Sequence, residues 1–119
     1  VREPLASGLL SGKYLPSHEF PPNDHRRRWM PEKREADWKK IKCLQLFLKK
    51  KKISLIQAAL EFALGSDAVS TVIPGAKTRT QVNENMVAAT APELSLEDLE
   101  ALEALYAQEP VFRQGLNPR

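Results

Sequence analysis

The residues of this 119-residue chain best suited to chemistry lie in one stretch, Ile73-Pro74-Gly75-Ala76-Lys77-Thr78-Arg79-Thr80-Gln81. A β-branched run, Val69-Ser70-Thr71-Val72-Ile73, reads as a strand closed by Pro74-Gly75. A helix is expected to follow, capped by Thr78 or Thr80, with Val82, Met86 and Val87 on its inner face. The first amides of a helix lack intrahelical partners and point outward, and the macrodipole makes that end electropositive. Such an end suits an anion. Gly75 allows close approach of the backbone, while Lys77, Arg79 and the two threonine hydroxyls can hydrogen-bond phosphate oxygens. Gln81, Glu84 and Asn85 share one helical face beside it. The pattern is not a Walker A loop, because Ala76 precedes Lys77 where that motif has glycine. On these residues alone, a phosphate cradle and an ordinary solvated cap with surface charges fit equally well.

Other reactive side chains are less eloquent. His18 and His25 flank Asp24 in a proline-rich loop without metal-ligand spacing, and solvated surface is the expectation. Cys43 falls within an amphipathic helix, where a cysteine normally serves as a small packed residue. Arg26-Arg27-Arg28-Trp29 combines cations with an aromatic ring, as single-strand nucleic-acid binders do. A net charge of +3 is too small for that class, so the cluster reads as solvated loop and no nucleic-acid partner is expected. No catalytic or metal-binding residue is assigned.

These groups must be positioned by a small set of elements. Residues 1–14, with Gly8 and Gly12, read as a strand end running into a loop. Pro16, Pro21, Pro22 and Pro31 make residues 15–36 a long irregular loop. Trp38, Ile41, Leu44 and Leu48 recur at helical spacing, predicting a helix from Asp37 to about Lys50 with Trp38 in the core. Ser54-Leu55-Ile56-Gln57 reads as a capping box for a helix to Leu64, apolar nearly all round and therefore well buried. Ser95 opens an acidic-fronted helix to about Tyr106, and residues 110–119 form a loosely held tail. Strand, helices, strand and helices in this order argue for parallel α/β architecture. Hydrophobic content of 42% and charged content of 28% are ordinary for a globular domain. One cysteine excludes an internal disulfide and favours a reducing, cytoplasmic setting. No run approaches the ~18 apolar residues of a membrane span.

Two motifs carry a family resemblance. Pro4-Leu5-Ala6-Ser7-Gly8-Leu9-Leu10-Ser11-Gly12-Lys13-Tyr14 resembles the segment that ends the seventh strand of the aldo-keto reductase barrel. Thr71-Val72-Ile73-Pro74-Gly75-Ala76-Lys77, continuing to Gln81-Val82-Asn83-Glu84-Asn85, resembles the eighth-strand segment. The helix between them stands in the expected order, and Phe20-Pro21-Pro22-Asn23-Asp24-His25-Arg26 resembles an insertion of bacterial members. The resemblance covers residues 1 to about 107, with Glu3 where serine is frequent and Arg79 near the place of a usual proline.

The resemblance implies the C-terminal part of a (β/α)8 barrel that binds NADP(H), its seventh and eighth strands with the following helices, helix-rich as an isolated chain. Pro4, Leu5, Gly8 and Leu9 would line the loop over the cofactor pyrophosphate. Gly75, Ala76, Lys77 and Arg79 would meet the adenosine 2′-phosphate, and Gln81, Glu84 and Asn85 the adenine and its ribose. It also implies an aldehyde or ketone substrate. The family's Asp, Tyr, Lys and His tetrad belongs to earlier strands than those matched, and Tyr14, Tyr106, His18 and His25 do not occupy its places. The 119 residues alone are thus expected not to reduce a carbonyl. The alternative is a truncated, non-enzymatic barrel fragment or interaction domain. Two parallel strands leave unpaired edges, so self-association through them is expected of the isolated chain.

Overall fold

The computed structural model describes residues 1–90 and 94–113. Four helices carry the fold: α1 Pro31–Lys49, α2 Leu55–Leu64, α3 Arg79–Val87 and α4 Leu96–Gln108. Helix α1 begins six residues before the expected Asp37, because Pro31 starts it and does not break the chain. Proline suits the first helical position, where its missing N–H would have no partner and its fixed φ is already helical. The expected loop therefore ends at Met30, and within it His25–Arg28 form a short 3-10 turn capped by Asp24.

Ser54 caps α2 by accepting from the Gln57 amide at 3.1 Å. The return half of a capping box is absent there, since the Gln57 side chain donates forward to Glu61 Oε1 at 3.1 Å. At α4 the box is complete: Ser95 accepts from the Asp98 amide, and Asp98 accepts from the Ser95 amide. Lys51 also pairs with Asp98, tying the end of α1 to the start of α4.

The core joins Ile41 and Leu48 of α1, Leu55 and Ala58 of α2, and Leu94. Leu9 and Leu10 from the N-terminal segment and Leu99 and Leu102 of α4 pack around it. Glu61 is the one buried carboxylate among the described residues, 8% exposed, and its Oε2 accepts from the Leu94 amide at 2.7 Å. Buried polar atoms are costly unless paired, so this bond fixes how the lead-in to α4 meets α2.

Several expectations are corrected. Among the described residues neither Val69–Ile73 nor residues 1–14 form a strand, and the chain is helical. One parallel rung remains: the Val1 nitrogen donates to Thr71 O at 2.8 Å, and the Ile73 amide donates to Val1 O at 3.4 Å. Bonding to the two residues that flank Val72 is the parallel pattern, but a rung with no neighbouring strand does not make a ladder. Helix α2 is buried or half-buried from Leu55 to Glu61, as expected, but its C-terminal end is not, and Phe62 and Leu64 are exposed. The expected inner face of α3 is open, with Val82 48% and Met86 62% exposed and Val87 similar, because no described element covers it. Trp38 is half-buried at a small recess with Phe20 and Trp29. Residues 110–112 are not loose: Pro110–Phe112 turn so that Phe112 is buried, its ring 5.5 Å from that of Tyr106. The rest of the expected tail, 114–119, lies outside the described residues.

Candidate functional site

A cleft of about 980 Å³ lies where the start of the chain meets the α3 turn. Its first wall holds Pro4, Leu5 and Gly8, carried by a 3-10 turn over Ala6–Ser11. This turn closes on itself: the Gly8 and Leu10 amides both donate to Leu5 O, and Ser11 Oγ donates to Gly8 O at 2.7 Å. Glu3, Ala6 and Ser7 have φ of 56°, 47° and 53°, and Gly8 has φ of 87°. Left-handed backbone costs an L-residue about 1–2 kcal/mol, so three such residues so close together make a strained segment. Strain of this kind concentrates at ligand sites.

The second wall is Gly75, Ala76 and Lys77 with Gln81, Glu84 and Asn85 of α3. Thr78, not Thr80, is the cap, its Oγ1 accepting from the Gln81 amide at 3.2 Å. The Gln81 side chain folds back so that Oε1 accepts from the Lys77 amide at 2.6 Å. The helix entrance is therefore partly occupied by its own side chains, where open amides were expected. Both bonds are exposed, so an arriving anion can replace them at little cost. Asn85 Nδ2 donates to Gly75 O at 3.4 Å and braces the turn. A Cβ built on Gly75 would meet nothing within 4 Å, which leaves room for a ligand against the backbone. Lys13 Nζ approaches Glu84 Oε2 at 3.8 Å and links the two walls.

Two residues expected here stand elsewhere. Leu9 turns away and packs on the hydrophobic core. Arg79 is exposed at the first turn of α3 and is not part of the cleft walls.

The third wall, Asp24, His25 and Arg26, escapes the sequence pattern, in which the arginine cluster reads as solvated. Arg27 and Arg28 are indeed exposed, but only 13% of the Arg26 side chain is accessible. Arg26 Nε and Nη2 donate to the two Asp24 oxygens at 2.9 and 2.7 Å, and Nη1 donates to Ser7 O at 3.0 Å. The guanidinium lies over the Tyr14 and Phe20 rings, 4.7 and 4.4 Å from their centroids. Its hydrogen bonds hold the Asp24 carboxyl far below the usual carboxylate range. The signal in the sequence is Asn23-Asp24-His25-Arg26 after two prolines, an Asx-type turn that brings residue 26 back over residue 24.

His18 and His25 are exposed, the His18 ring leaning on Tyr14 and Phe20. Cys43 is half-buried, and burial, then the nearby Glu109 carboxylate, raises its thiol pKa. Among the described residues no cluster of His, Cys, Asp and Glu could hold a metal ion.

Two glycine turns thus face one cleft, and the second of them leads into helix α3. The chain belongs to the Aldo/keto reductase family, whose model matches residues 1–107. The family fold is the (β/α)8 barrel, whereas the described residues here form helices and no strand. It is 32% identical over 102 residues to the L-glyceraldehyde 3-phosphate reductases of Escherichia coli K12 and O157:H7. Those alignments cover 81% of this chain, which spans 30% of the length of each relative. No helix among the described residues is long and apolar enough to cross a membrane.

Proposed function

We infer that this chain is the C-terminal segment of an NADPH-dependent reductase of aldehydes or ketones and that its cleft grips the adenosine end of the cofactor. The observation that carries this is the convergence on one cleft of the Gly8 turn, the Gly75 turn and Gln81, Glu84 and Asn85 of α3. Pro4, Leu5 and Gly8 would face the pyrophosphate. Gly75, Ala76 and Lys77 would take the 2′-phosphate, with Arg79 reaching it from the rim, and Gln81, Glu84 and Asn85 would meet the adenosine. The open space against Gly75 and the two cations fit an anion of that size.

When bound, the dinucleotide supplies a hydride to the carbonyl carbon. What this chain's residues contribute is affinity and orientation. The Asp, Tyr, Lys and His of the family's chemistry are sought outside these 119 residues, in the remainder of a barrel of which they are about a third. The half-buried Cys43, with no second thiol, fits a reducing cytoplasm. The carbonyl substrate belongs to the same remainder.

The test is selectivity in the full-length protein. Lys77→Ala with Arg79→Ala should weaken NADPH binding by about tenfold or more and leave NADH nearly unchanged, since only NADPH carries the extra phosphate. Equal losses for both dinucleotides, or none, would remove the 2′-phosphate assignment.

A second reading is favoured by the open α3 face of Val82, Met86 and Val87: a barrel fragment that associates with other chains without catalysis. Light scattering separates the two. Under the second reading the 119-residue chain forms concentration-dependent oligomers that Met86→Glu disperses, and it ignores NADPH.

A further inference from the structure

We propose that Arg26, held by Asp24, is the positioning residue that shapes the Gly8 wall of the cleft. This rests on the cofactor reading given above. The Ala6–Ser11 turn carries left-handed residues that would relax if released, yet its own hydrogen bonds reach only back to Glu3 and forward to Lys13. Arg26 Nη1 bonds the carbonyl of Ser7, the residue before Gly8, across 19 positions of sequence. A Cβ on Gly8 would come within 3.1 Å of that same nitrogen, so the guanidinium rests directly on the glycine.

Asp24 makes the guanidinium rigid. It accepts from Nε and Nη2 and, through Oδ1, from the Arg26 amide at 2.9 Å. Stacking on Tyr14 and Phe20 fixes the remaining degrees of freedom. Asp24 and Ser7 take donors from all three guanidinium nitrogens, and the planar fork is the reason lysine would not serve. The strained turn is thus kept in shape by a strap from residues 24–26, and a ligand meets a wall already formed.

Electrostatics alone makes the opposite prediction for Asp24. Removing a carboxylate from an anion site should strengthen anion binding. Loss of positioning should weaken it, because the guanidinium is freed from its seat.

The experiment compares wild type, Asp24→Asn and Arg26→Lys in the full-length protein, each with NADPH affinity by fluorescence titration and hydrogen exchange of the 5–14 peptide without ligand. The expected result is roughly tenfold weaker NADPH binding for Asp24→Asn, the value of one charge-assisted hydrogen bond, with faster exchange at 8–12. Arg26→Lys should behave likewise although the charge is kept. Tighter NADPH binding by Asp24→Asn, or unchanged exchange and affinity in both variants, would overturn the positioning role while leaving the cofactor reading intact. Wild-type protein that does not bind NADPH would overturn both. Should Asp24→Asn not fold, Arg26→Lys alone decides by the same two readouts.

Discussion

Gly8 and Gly75 face the same cleft but for different physical reasons, and substituting each by alanine exposes the difference. At Gly8 the backbone sits at φ of 87°, where an L-residue costs about 1–2 kcal/mol. The added methyl would also press on Arg26 Nη1 at 3.1 Å and on the Tyr14 ring at 3.4 Å. The guanidinium cannot retreat without disturbing its bond to Ser7 O. Against this stands a gain of about 0.4–1 kcal/mol from a less flexible unfolded chain. The difference is about 0–1.6 kcal/mol before the contacts are added, so Gly8→Ala should lose on the order of 1 kcal/mol or more, and a bulkier side chain there would lose more. At Gly75 φ is not positive and a methyl meets nothing within 4 Å, so only the unfolded-state gain operates. Gly75→Ala should be as stable as wild type or gain up to about 1 kcal/mol, yet bind NADPH more weakly because the methyl fills the approach to the backbone. Urea unfolding and NADPH titration of the two variants in the full-length protein measure both quantities. Equal destabilisation of the two, or a Gly8→Ala protein as stable as wild type, would refute the conformational argument. Undiminished NADPH affinity in Gly75→Ala would refute the contact.

Two further outcomes concern the frame. The Asp98 carboxyl is lowered from its ordinary 3.8 by the Lys51 hydrogen bond and then by Ser95, and Lys51 is raised from 10.5 by the same partner. A lowered carboxyl stabilises the fold above its unfolded pKa and ceases to do so as pH falls through the folded value. A raised amine stabilises below its unfolded pKa and fails as pH rises through the folded value. The contribution of this pair should hence be flat between about pH 5 and 10 and fall on either side, and Asp98→Asn should lower the plateau and make the acid limb shallower while Asp24 keeps its share of it, as pH-dependent urea titrations would show. Glu61→Ala should cost about 1–3 kcal/mol by stranding the buried Leu94 amide, and Glu61→Gln, which keeps an acceptor, clearly less. Identical midpoints for the two variants would count against the bond.

Much of the frame is legible in the chain itself. Ser54 and Ser95 cap the helices they are expected to cap, and Thr78 is the one of the two candidate threonines that caps α3, because a side-chain acceptor at a helix start is a local property. Pro31 misleads because a proline ends one element or begins another depending on the residues after it. A strand at Val69–Ile73 is suggested by β-propensity, but a ladder is made by neighbours, and here only Val1 offers one rung. At the cleft, nine of the eleven expected residues line the walls, and Leu9 is lost to the core, where it packs together with Leu10. Arg26 is hidden because charge near charge in a loop reads as solvated, and only the tertiary fold shows the rings beneath it.

The Val1 rung joins points 70 residues apart in the chain. Closing a loop of that length costs about 4 kcal/mol of chain entropy, more than two backbone hydrogen bonds return. The rung therefore depends on the helical core to bring the two turns within range and adds little stability by itself. A molecule that bridges both turns would then act as a clasp. Its affinity would register as added resistance of the whole fold to unfolding.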